Sequence, residues 1–250
     1  MKFAGRTDIG LQRLTNEDCY AILNLQDGAV VALVCDGMGG ECGGGIASSI
    51  ARDIIIDKLT GGYNSAMSGS EIEELLKSSV RTANSEIYQR AKNDISLDGM
   101  GTTAVIALVN ESVSHIVHIG DSRAYLCSEG KLYQLTRDHS VVQDMVEKGV
   151  IEKEEARIHP RKNLITRAVG IELDPCIDYM NTSANREYNS ADGQKLLLCS
   201  DGLTNCCEES DITKILQNDE ISLEQMCDEL INCANKNGGV DNITAVLLRL

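Results

Sequence analysis

The sequence predicts an α+β fold in which helices pack on antiparallel sheets. Strand-like apolar runs lie near both ends of the chain and in its middle, and two helical stretches separate the first strands from the next group. Strands and helices do not alternate one by one, as they would in a parallel α/β fold. The chain has 250 residues and no proline- or serine-rich linker, so we expect one domain over residues 1–250.

The first part of the chain is predicted to form strands, followed by two helices. Strands fill the first 35 residues and end with the apolar run at 29–35, and a helix follows at about 47–59. A second helix is expected to begin at Ser70, because Ser70 and Glu73 have the spacing of a capping box. Its apolar residues recur every three or four positions and predict one buried stripe, formed by Ile72, Leu75, Leu76, Val80, Ala83, Ile87 and Ala91.

The rest of the chain is predicted to return to strands and to end with helices and a last strand. Strands are predicted at 102–109, 113–119, 124–126, 131–135, 195–199 and 243–250. Glu129-Gly130 is a hairpin turn signal, and residues 138–165 are polar and helix-prone, which is typical of an excursion over the surface. Helices are predicted at 209–216 and at 222–234, the second with a capping box of Ser222 and Gln225.

Charge and hydropathy exclude two classes of partner. The net charge is −15, which argues against binding to nucleic acid or to an anionic membrane, since both require a positive face. No apolar stretch approaches the ~20 residues that a membrane span needs. The first 14 residues are polar and broken by Gly5 and Gly10, so no secretory leader is expected. We therefore expect a cytoplasmic protein, and we separately expect a monomer.

The ten cysteines predict buried thiols rather than a disulfide framework or a zinc site, because no CxxC or similar pair occurs. Cys35 and Cys199 lie inside apolar runs and are interpreted as small buried hydrophobic residues. A redox role for the adjacent Cys206 and Cys207 is the less favoured alternative.

Four short segments place an aspartate beside a turn-forming residue next to an apolar run. They are VCDGMGG, HIGDSR, LCSDGL and VDNITAV, which contain Asp36, Asp121, Asp201 and Asp241. An aspartate at such a strand end can point its carboxylate into a shared pocket, and like charges held that close need a cation between them. One such segment alone is compatible with an ordinary turn, but the combination favours a metal site. Oxygen ligands suit Mg²⁺ or Mn²⁺ rather than zinc.

The histidines are not predicted to supply ligands. His115 and His118 are three residues apart in a predicted strand, so they face opposite sides of the sheet and cannot chelate together. His139 is expected near the pocket.

Arg13 and the acidic pair Glu17 and Asp18 precede the first predicted metal ligand. The planar guanidinium of an arginine can hold a phosphoryl group. A surface salt bridge from Arg13 to Glu17 or Asp18 is an equally good interpretation of the spacing.

Taken in order, the motifs R-x-x-N-E-D, D-G-M-G-G, G-T-T, G-D-S-R-A-Y, D-H-S, S-D-G-L and D-N-I-T resemble the metal-dependent Ser/Thr protein phosphatases of type 2C (the PPM family) in their compact bacterial form. The match extends from Arg13 to Thr244. The resemblance implies a four-layer αββα sandwich, with two antiparallel sheets face to face, helices outside, and metals between the sheet edges. It departs from many bacterial members at residues 41–45, where the chain has ECGGG.

The resemblance implies a role for each metal-site residue by position. Asp36 bridges two core metals, and the Gly37 carbonyl binds one of them. Asp201 and Asp241 are ligands of the other core metal. Asp121 belongs to a third, weaker site that it shares with Asp201.

The remaining positions concern water, phosphate and access. Glu17 and Asp18 lie where the family has a carboxylate that reaches metal-bound water, and Arg13 matches the phosphate-binding arginine. Residues from about 139 to 180 correspond to a mobile flap beside the active site.

The implied activity is hydrolysis of phosphoserine and phosphothreonine in proteins. Two Mn²⁺ or Mg²⁺ ions ~3.5–4 Å apart would hold a bridging hydroxide that attacks phosphorus directly. Met38 stands where eukaryotic relatives have a histidine and cannot donate a proton, so water at the third metal and His139 are the candidate acids. Resemblance alone implies opposition to a bacterial Ser/Thr kinase.

Two other functions are compatible with the same motifs. A metal-binding or regulatory adaptor would keep the fold and lack turnover, and its expected sign, a missing ligand, does not occur in the sequence. A phosphatase of small metabolites or of a stress-signalling partner protein would differ only in the flap and surface loops.

Overall fold

The computed structural model describes residues 1–110, 113–184 and 193–250, and at residues 40–42 and 184 it describes the backbone only. In this part of the chain the strands are β1 (Lys2–Asp8), β2 (Cys19–Asn24), β3 (Val30–Cys35), β4 (Gly37–Met38), β5 (Gly101–Thr102), β6 (Ala104–Asn110), β7 (Val113–Ile119), β8 (Arg123–Ser128), β9 (Lys131–Gln134), β10 (Asp178–Asn181), β11 (Lys195–Cys199) and β12 (Ile243–Arg249). The α-helices are α1 (Gly40–Gly62), α2 (Gly69–Asn93), α3 (Val141–Glu147), α4 (Lys153–Ile158), α5 (Asp201–Thr204), α6 (Glu209–Leu216) and α7 (Leu223–Lys236).

Two five-stranded antiparallel sheets form the centre of the fold. Their strand orders are β1-β12-β11-β8-β9 and β10-β7-β6-β3-β2. Strand β3 shows why both faces are covered, because Val30, Ala32 and Val34 pack toward the other sheet, whereas the residues between them pack toward α1 and α2. Helices α6 and α7 cover the outer face of the first sheet. The predicted α+β class and the four-layer arrangement are confirmed.

The strand registers bring chosen strand ends to one edge of the sandwich. Cys19 at the start of β2 pairs with Cys35 at the end of β3, and Ala104 at the start of β6 pairs with Ile119 at the end of β7. In the other sheet, the end of β11 pairs with the start of β12. The far end of that sheet is closed by the pairing of Lys2 with Arg249.

Two helices differ from the sequence prediction at their starts. Helix α1 begins at Gly40 rather than at residue 47, because the glycines that disfavour a helix in isolation are required there by packing. A Cβ at Gly43 would lie 2.9 Å from Met100 Cβ. The capping box of helix α2 is formed by Ser68 and Glu71 rather than by Ser70 and Glu73. Glu73 forms an ion pair with Lys77.

Other elements follow the predicted patterns. Strands β7 and β11 and helix α6 have the predicted bounds, and Glu129 and Gly130 both have positive φ in the hairpin between β8 and β9. The α2 stripe is buried, with Leu75 and Ala91 at its margin. Strand β10 was not predicted. No helix in the described ranges is long and apolar enough to cross a bilayer.

The Ser68 cap gives a direct test of the corrected helix start. Ser68→Ala removes the oxygen that accepts from the Glu71 N–H, so we expect the free energy of unfolding to fall by about 1 kcal/mol. Denaturant unfolding measures this change. Ser70→Ala is the matched control and should change stability by less than about 0.5 kcal/mol. The reverse ranking would restore Ser70 as the cap.

Candidate metal centre

The aspartates at the joined sheet edges line one cavity. Asp36 follows β3, Asp121 follows β7, Asp201 follows β11, and Asp241 precedes β12. The cavity has a volume of about 310 Å³ and is lined by Arg13, Glu17, Asp36, Gly37, Met38, Gly39, Thr103, Asp121, Asn163, Ile165, Asp201, Asp241 and Asn242. The structure therefore brings together all the sequence-predicted site residues except Asp18, which lies behind the wall.

The backbone of Asp36 is held by the threonines of the G-T-T motif. The Asp36 N–H donates to Thr103 Oγ1 (3.0 Å), and the Thr103 N–H donates to the Asp36 carbonyl (2.8 Å). Thr102 Oγ1 donates to the same carbonyl (2.9 Å), and the hydroxyl of Ser122 in the G-D-S-R motif lies 2.7 Å from Thr103 Oγ1. These two motifs therefore fix the direction in which the Asp36 carboxylate points.

Gly37 is required by a close approach of two backbones. A Cβ on Gly37 would lie 2.2 Å from the Gly44 carbonyl oxygen and 2.7 Å from the Glu17 carbonyl oxygen. Any side chain would push α1 away from the strand end and displace the Gly37 carbonyl that the sequence assigns to a metal.

Asp18 is buried, with only 7% of its surface exposed. Its Oδ2 accepts from the hydroxyls of Ser200 (2.6 Å) and Thr244 (2.7 Å). Its Oδ1 is buried and has no hydrogen-bond partner among the described residues. A carboxylate oxygen in this state is costly unless a group of opposite charge or a donor reaches it.

The carboxyl groups raise one another's pKa. Burial, then the charges of Asp18, Asp201, Asp121 and Asp241, hold the pKa of Asp36 well above its usual range. Burial and then the Asp241 charge raise the pKa of Asp201 to about 6. The pKa of Asp18 rises to about 7, chiefly by burial, although its two hydroxyl donors oppose the rise.

The described basic residues leave three of the four aspartates in this cluster without an ion pair. Among the described residues, no arginine or lysine forms an ion pair with Asp36, Asp121 or Asp201. The nearby guanidinium of Arg123 is committed to Asp138, to which it donates from Nε (2.8 Å) and Nη2 (2.6 Å). Burial, and then the charges of Asp201 and Asp138, raise the pKa of Asp121.

The donor set fits hard divalent cations. The cavity offers several carboxylates and a backbone carbonyl, with no thiol or imidazole on its wall among the described residues. Oxygen donors with excess negative charge are the ligands that Mg²⁺ and Mn²⁺ prefer. The unpartnered Asp18 Oδ1 and the raised pKa values are the strain that a bound cation would relieve.

Arg13 pairs with a predicted metal ligand rather than with Glu17 or Asp18. Its Nη2 lies 2.7 Å from Asp241 Oδ2, and 51% of its side chain is exposed at the cavity rim. Both salt-bridge partners named from the spacing are therefore wrong. Asp241 uses one edge of the guanidinium, and the remaining N–H groups can serve a ligand in the cavity.

Asn242 holds the Arg13 loop against the sheet edge. Its Oδ1 accepts from the Glu17 N–H (2.8 Å), and its Nδ2 donates to the carbonyls of Ile9 (3.0 Å) and Thr15 (2.9 Å). Glu17 in turn accepts from the Gly45 N–H at Oε1 (3.2 Å), at the first turn of α1. Asn242 thereby positions both Arg13 and Glu17.

A second cluster of possible ligands lies outside the cavity. One ligand atom from each of His118, His139 and Asp178 falls within 4.8 Å of the others. The Arg167 guanidinium already lies against this cluster, 3.0 Å from Asp178 Oδ1 and 3.2 Å from His139 Nε2. We interpret the cluster as a hydrogen-bonded network, because that guanidinium excludes a cation.

His139 does not reach the cavity. Its Nδ1 accepts from the Gly120 N–H (3.2 Å), so the neutral ring carries its proton on Nε2, which donates to Asp178 (3.2 Å). Burial lowers the pKa of His139 to about 4, so the ring is neutral at pH 7. The ring lies near the pocket, as expected, because Gly120 directly precedes Asp121, but it is not among the residues of the cavity wall. His115 and His118 face opposite sides of β7, as predicted, and contact Tyr179 and Arg137.

Sequence reasoning missed the residues that support the carboxylates. Ser200, Asn242 and Thr244 lie within the aspartate motifs, Thr103 lies in the separate G-T-T motif, and all four are buried polar residues. A polar residue inside an apolar run next to a candidate ligand was the available signal. Its partner could not be inferred, because Ser200 and Asp18 are 182 residues apart.

Comparison with known proteins finds similarity over almost the whole chain. A family model described as protein phosphatase 2C matches residues 11–248. The chain is 39% identical over 245 residues to the serine/threonine phosphatase stp of Listeria monocytogenes, covering 97% of this chain and 93% of the relative.

Solved structures agree with the fold. The serine/threonine phosphatase Stp1 from Staphylococcus aureus matches with a TM-score of 0.90 and 33% identity, covering 100% of this chain and 94% of that one. The catalytic domain of the serine/threonine protein phosphatase PstP, solved with two manganese ions, matches with a TM-score of 0.79 and 32% identity, covering 98% of this chain and 96% of that one.

Proposed function

This chain belongs to the protein phosphatase 2C family and is a metal-dependent protein Ser/Thr phosphatase, and we propose that its carboxylate cavity hydrolyses phosphoserine and phosphothreonine by direct attack of water on phosphorus. The observation that carries the proposal is the convergence of Asp36, Asp121, Asp201 and Asp241 on one cavity, where among the described side chains only Asp241 has a cationic partner, Arg13. Such a site is suited to bind divalent ions and, through them, a phosphate ester.

The cavity residues divide between two core ions and a weaker third. Asp36 would bridge the core ions, with the Gly37 carbonyl on one of them and Asp201 and Asp241 on the other. Asp121 would share the third ion with Asp201. Glu17 and Asp18 would reach the ions through water. Bound Mn²⁺ or Mg²⁺ would supply a water of lowered pKa and positive charge opposite the phosphoryl oxygens.

Arg13 would orient the phosphate ester. It stands at the open rim of the cavity, and its bond to Asp241 fixes the plane of the guanidinium. Two coplanar N–H groups match two oxygens of a phosphoryl group, which a lysine could not do. The pair thus connects substrate orientation to a metal ligand, because Asp241 would serve both.

The leaving alkoxide must gain a proton, and the cavity wall limits its sources. Met38 lines the cavity but cannot donate a proton, and His139 is off the cavity wall with both ring nitrogens engaged. We propose water held beside Asp121 as the donor, because this carboxylate lies at the cavity and is buried beside Asp201.

The test is phosphate release from a phosphothreonine peptide. We expect turnover with Mn²⁺, its loss in EDTA, and its return when Mn²⁺ is restored. A folded protein that binds Mn²⁺ and releases no phosphate would favour the adaptor. Turnover of small phosphate monoesters far above that of any phosphopeptide would favour a metabolite phosphatase.

Finer features of the proposal rest on the resemblance. We propose that the ions are Mn²⁺ or Mg²⁺. We also propose that the protein removes phosphate groups added by a Ser/Thr kinase. We propose that residues 1–250 form a monomeric catalytic domain in signalling, with a flap at about 139–180. In support, Asn163 and Ile165 of that segment lie on the cavity wall, and Ser140 pairs with Ile165 beside it.

Asp121→Asn separates the third ion from the core ions. We expect turnover to fall by roughly tenfold to a hundredfold, because a ligand of the weaker site is lost while Asp36 and Asp241 remain. Calorimetric titration with Mn²⁺ should still show the two tighter binding events. Asp57→Asn, on the exposed end of α1, is the matched control and should keep wild-type turnover. Loss of all Mn²⁺ binding in Asp121→Asn would refute the division.

A further inference from the structure

Two cysteines face each other in the second sheet, at the sheet edge that carries Asp36. Cys19 on β2 and Cys35 on β3 are antiparallel register partners. Residues directly opposite in an antiparallel pair have their side chains on the same face. Both side chains belong to the core cluster beneath α1.

The strand geometry suits a disulfide. Directly opposed antiparallel residues have Cα atoms about 4.5 or about 5.5 Å apart, depending on the type of pair. Disulfides span Cα separations of about 4.4–6.8 Å, so either type can close with only a small adjustment of the strand ends. All nine described cysteines are free thiols in this structure.

The position of the pair connects it to the metal centre. Cys19 directly follows Asp18, and Cys35 directly precedes Asp36. Asp18 carries the unpartnered buried oxygen, and Asp36 is the carboxylate on which the other charges converge. A bond between Cys19 and Cys35 would tie together the chain segments that carry these two carboxylates.

We propose that Cys19 and Cys35 form an oxidation-sensitive dithiol whose disulfide weakens divalent-cation binding at the adjoining carboxylates. The oxidant class is a hydroperoxide. The Cys19 sulfur attacks the peroxide O–O bond, which gives a sulfenic acid and one water (or alcohol). The Cys35 sulfur then attacks the sulfenic sulfur, the S–S bond forms as the S–O bond breaks, and the hydroxyl leaves as water with the proton of the Cys35 thiol. Two electrons pass from the thiols to the peroxide.

Access favours Cys19 as the first sulfur to react. It is 9% exposed, whereas Cys35 is fully buried. Cys35 therefore acts as the resolving thiol, protected from direct oxidation and directly opposite Cys19 in the strand register.

Closure of the disulfide should displace the backbone at Asp36. The two sulfurs have to approach from a non-bonded contact to about 2.05 Å. The Asp36 backbone next to Cys35 is fixed by Thr103 and Thr102, so the movement is concentrated between the strand ends and these anchors. Displacement of groups that orient metal ligands typically costs 10–100-fold in affinity, so we expect Mn²⁺ binding to weaken by at least about tenfold.

The experiment treats the full chain with limiting hydrogen peroxide, alkylates the remaining thiols, and cleaves before aspartate. Cleavage before Asp18, Asp27, Asp36 and Asp53 places Cys19, Cys35 and Cys42 on separate peptides. We expect peptides 18–26 and 27–35 to be linked, with loss of two hydrogens, and to separate on reduction. Calorimetry with Mn²⁺ on reduced, oxidised and re-reduced protein gives the affinity change.

Two variants make the result specific. Cys19→Ser should prevent the link and the affinity change, and Cys35→Ala should do the same if Cys19→Ser folds poorly. Cys233→Ser removes a partly buried free thiol on α7, outside β2 and β3, and should leave both effects intact.

Two results would overturn the proposal. One is recovery of both peptides singly alkylated while other thiols oxidise. The other is a linked protein with the Mn²⁺ affinity of the reduced one. The coupling rests on the proposed metal site, and a reduced protein that fails to bind Mn²⁺ would overturn that site and the coupling together. The linked peptides would still decide the chemistry of the thiol pair.

Discussion

Asp36→Asn is expected to lower turnover by about 10³-fold or more, which corresponds to about 4 kcal/mol of lost transition-state stabilisation. Asparagine keeps the size of the side chain and removes the charge that would bridge the two core ions. The Thr103 and Thr102 contacts reach only the Asp36 backbone, so they survive the substitution. Phosphate release from a phosphothreonine peptide with saturating Mn²⁺ gives the ratio.

The same substitution is expected to stabilise the metal-free protein. Asp36 is crowded by the charges of Asp18, Asp201, Asp121 and Asp241, and its pKa is raised by them and by burial. Removal of one member of a mutually repelling, buried set relieves that cost. Thermal unfolding in EDTA should therefore show a higher Tm for Asp36→Asn than for wild type, opposite to the loss of activity.

The exposed Asp57→Asn variant serves as the control for both readouts, since it removes one acidic charge far from the cavity. It should keep turnover and Tm close to wild type. Activity of Asp36→Asn within about tenfold of wild type would contradict the bridging role. A lower Tm in EDTA would instead mean that Asp36 is stabilised by its neighbours.

Removal of the divalent ion is expected to make stability strongly dependent on pH. Asp18 has a pKa of about 7 in the folded protein against 3.8 for the free side chain. The folded state therefore binds this proton more tightly than the unfolded state, so stability in EDTA rises as pH falls through 7 and is lost as pH rises. Asp201, with a pKa of about 6, adds the same trend at lower pH.

Histidines act in the opposite sense and require a differential measurement. Burial lowers the pKa values of His115, His118 and His139, so these residues remove stability as pH falls below about 6.5. The informative quantity is the free energy of unfolding of wild type minus that of Asp18→Asn. As the pH falls from 8 to 5 in EDTA, wild type should gain about 2–3 kcal/mol of stability relative to Asp18→Asn.

Mn²⁺ should suppress this dependence, because the ion binds the ionised carboxylates. At a free concentration a hundredfold above the dissociation constant, each site adds about 2.7 kcal/mol at neutral pH, or about 5–10 °C in Tm. Thermal scans with Mn²⁺ and with EDTA at several pH values provide both curves. A difference between wild type and Asp18→Asn that is flat with pH would contradict the raised pKa of Asp18.

Local patterns sufficed wherever a residue's neighbours in sequence decide its structure. The bounds of β11 and α6 follow from one apolar run and one short amphipathic segment. The start of α1 could not be predicted, because Gly43 and Gly44 are poor helix formers that are needed against Met100 and Gly37. Strand β10 has four residues and forms only because β7 offers it an edge.

The candidate site shows the same limit. The aspartates are identifiable because each ends or begins an apolar run, which places it at a strand end. Their convergence depends on which strand ends pair, a long-range property of the registers. Three further contacts depend on residues far apart in sequence. They are the hydrogen bond from the Ser200 hydroxyl to Asp18, the ion pair of Arg13 with Asp241, and the contact of His139 with Asp178.

The pairing of Lys2 with Arg249 brings the two chain ends side by side at the sheet end remote from the aspartates. Strand β1 has seven residues at about 3.3 Å each, so this point lies about 20 Å from the sheet edge that carries the aspartates. The chain should therefore accept circular permutation, with a short linker from residue 250 to residue 1 and new ends opened at the exposed Glu129-Gly130 hairpin. Such a permutant should retain Mn²⁺-dependent phosphate release. A fluorescent label could then be attached at the new ends without blocking the opening of the carboxylate cavity.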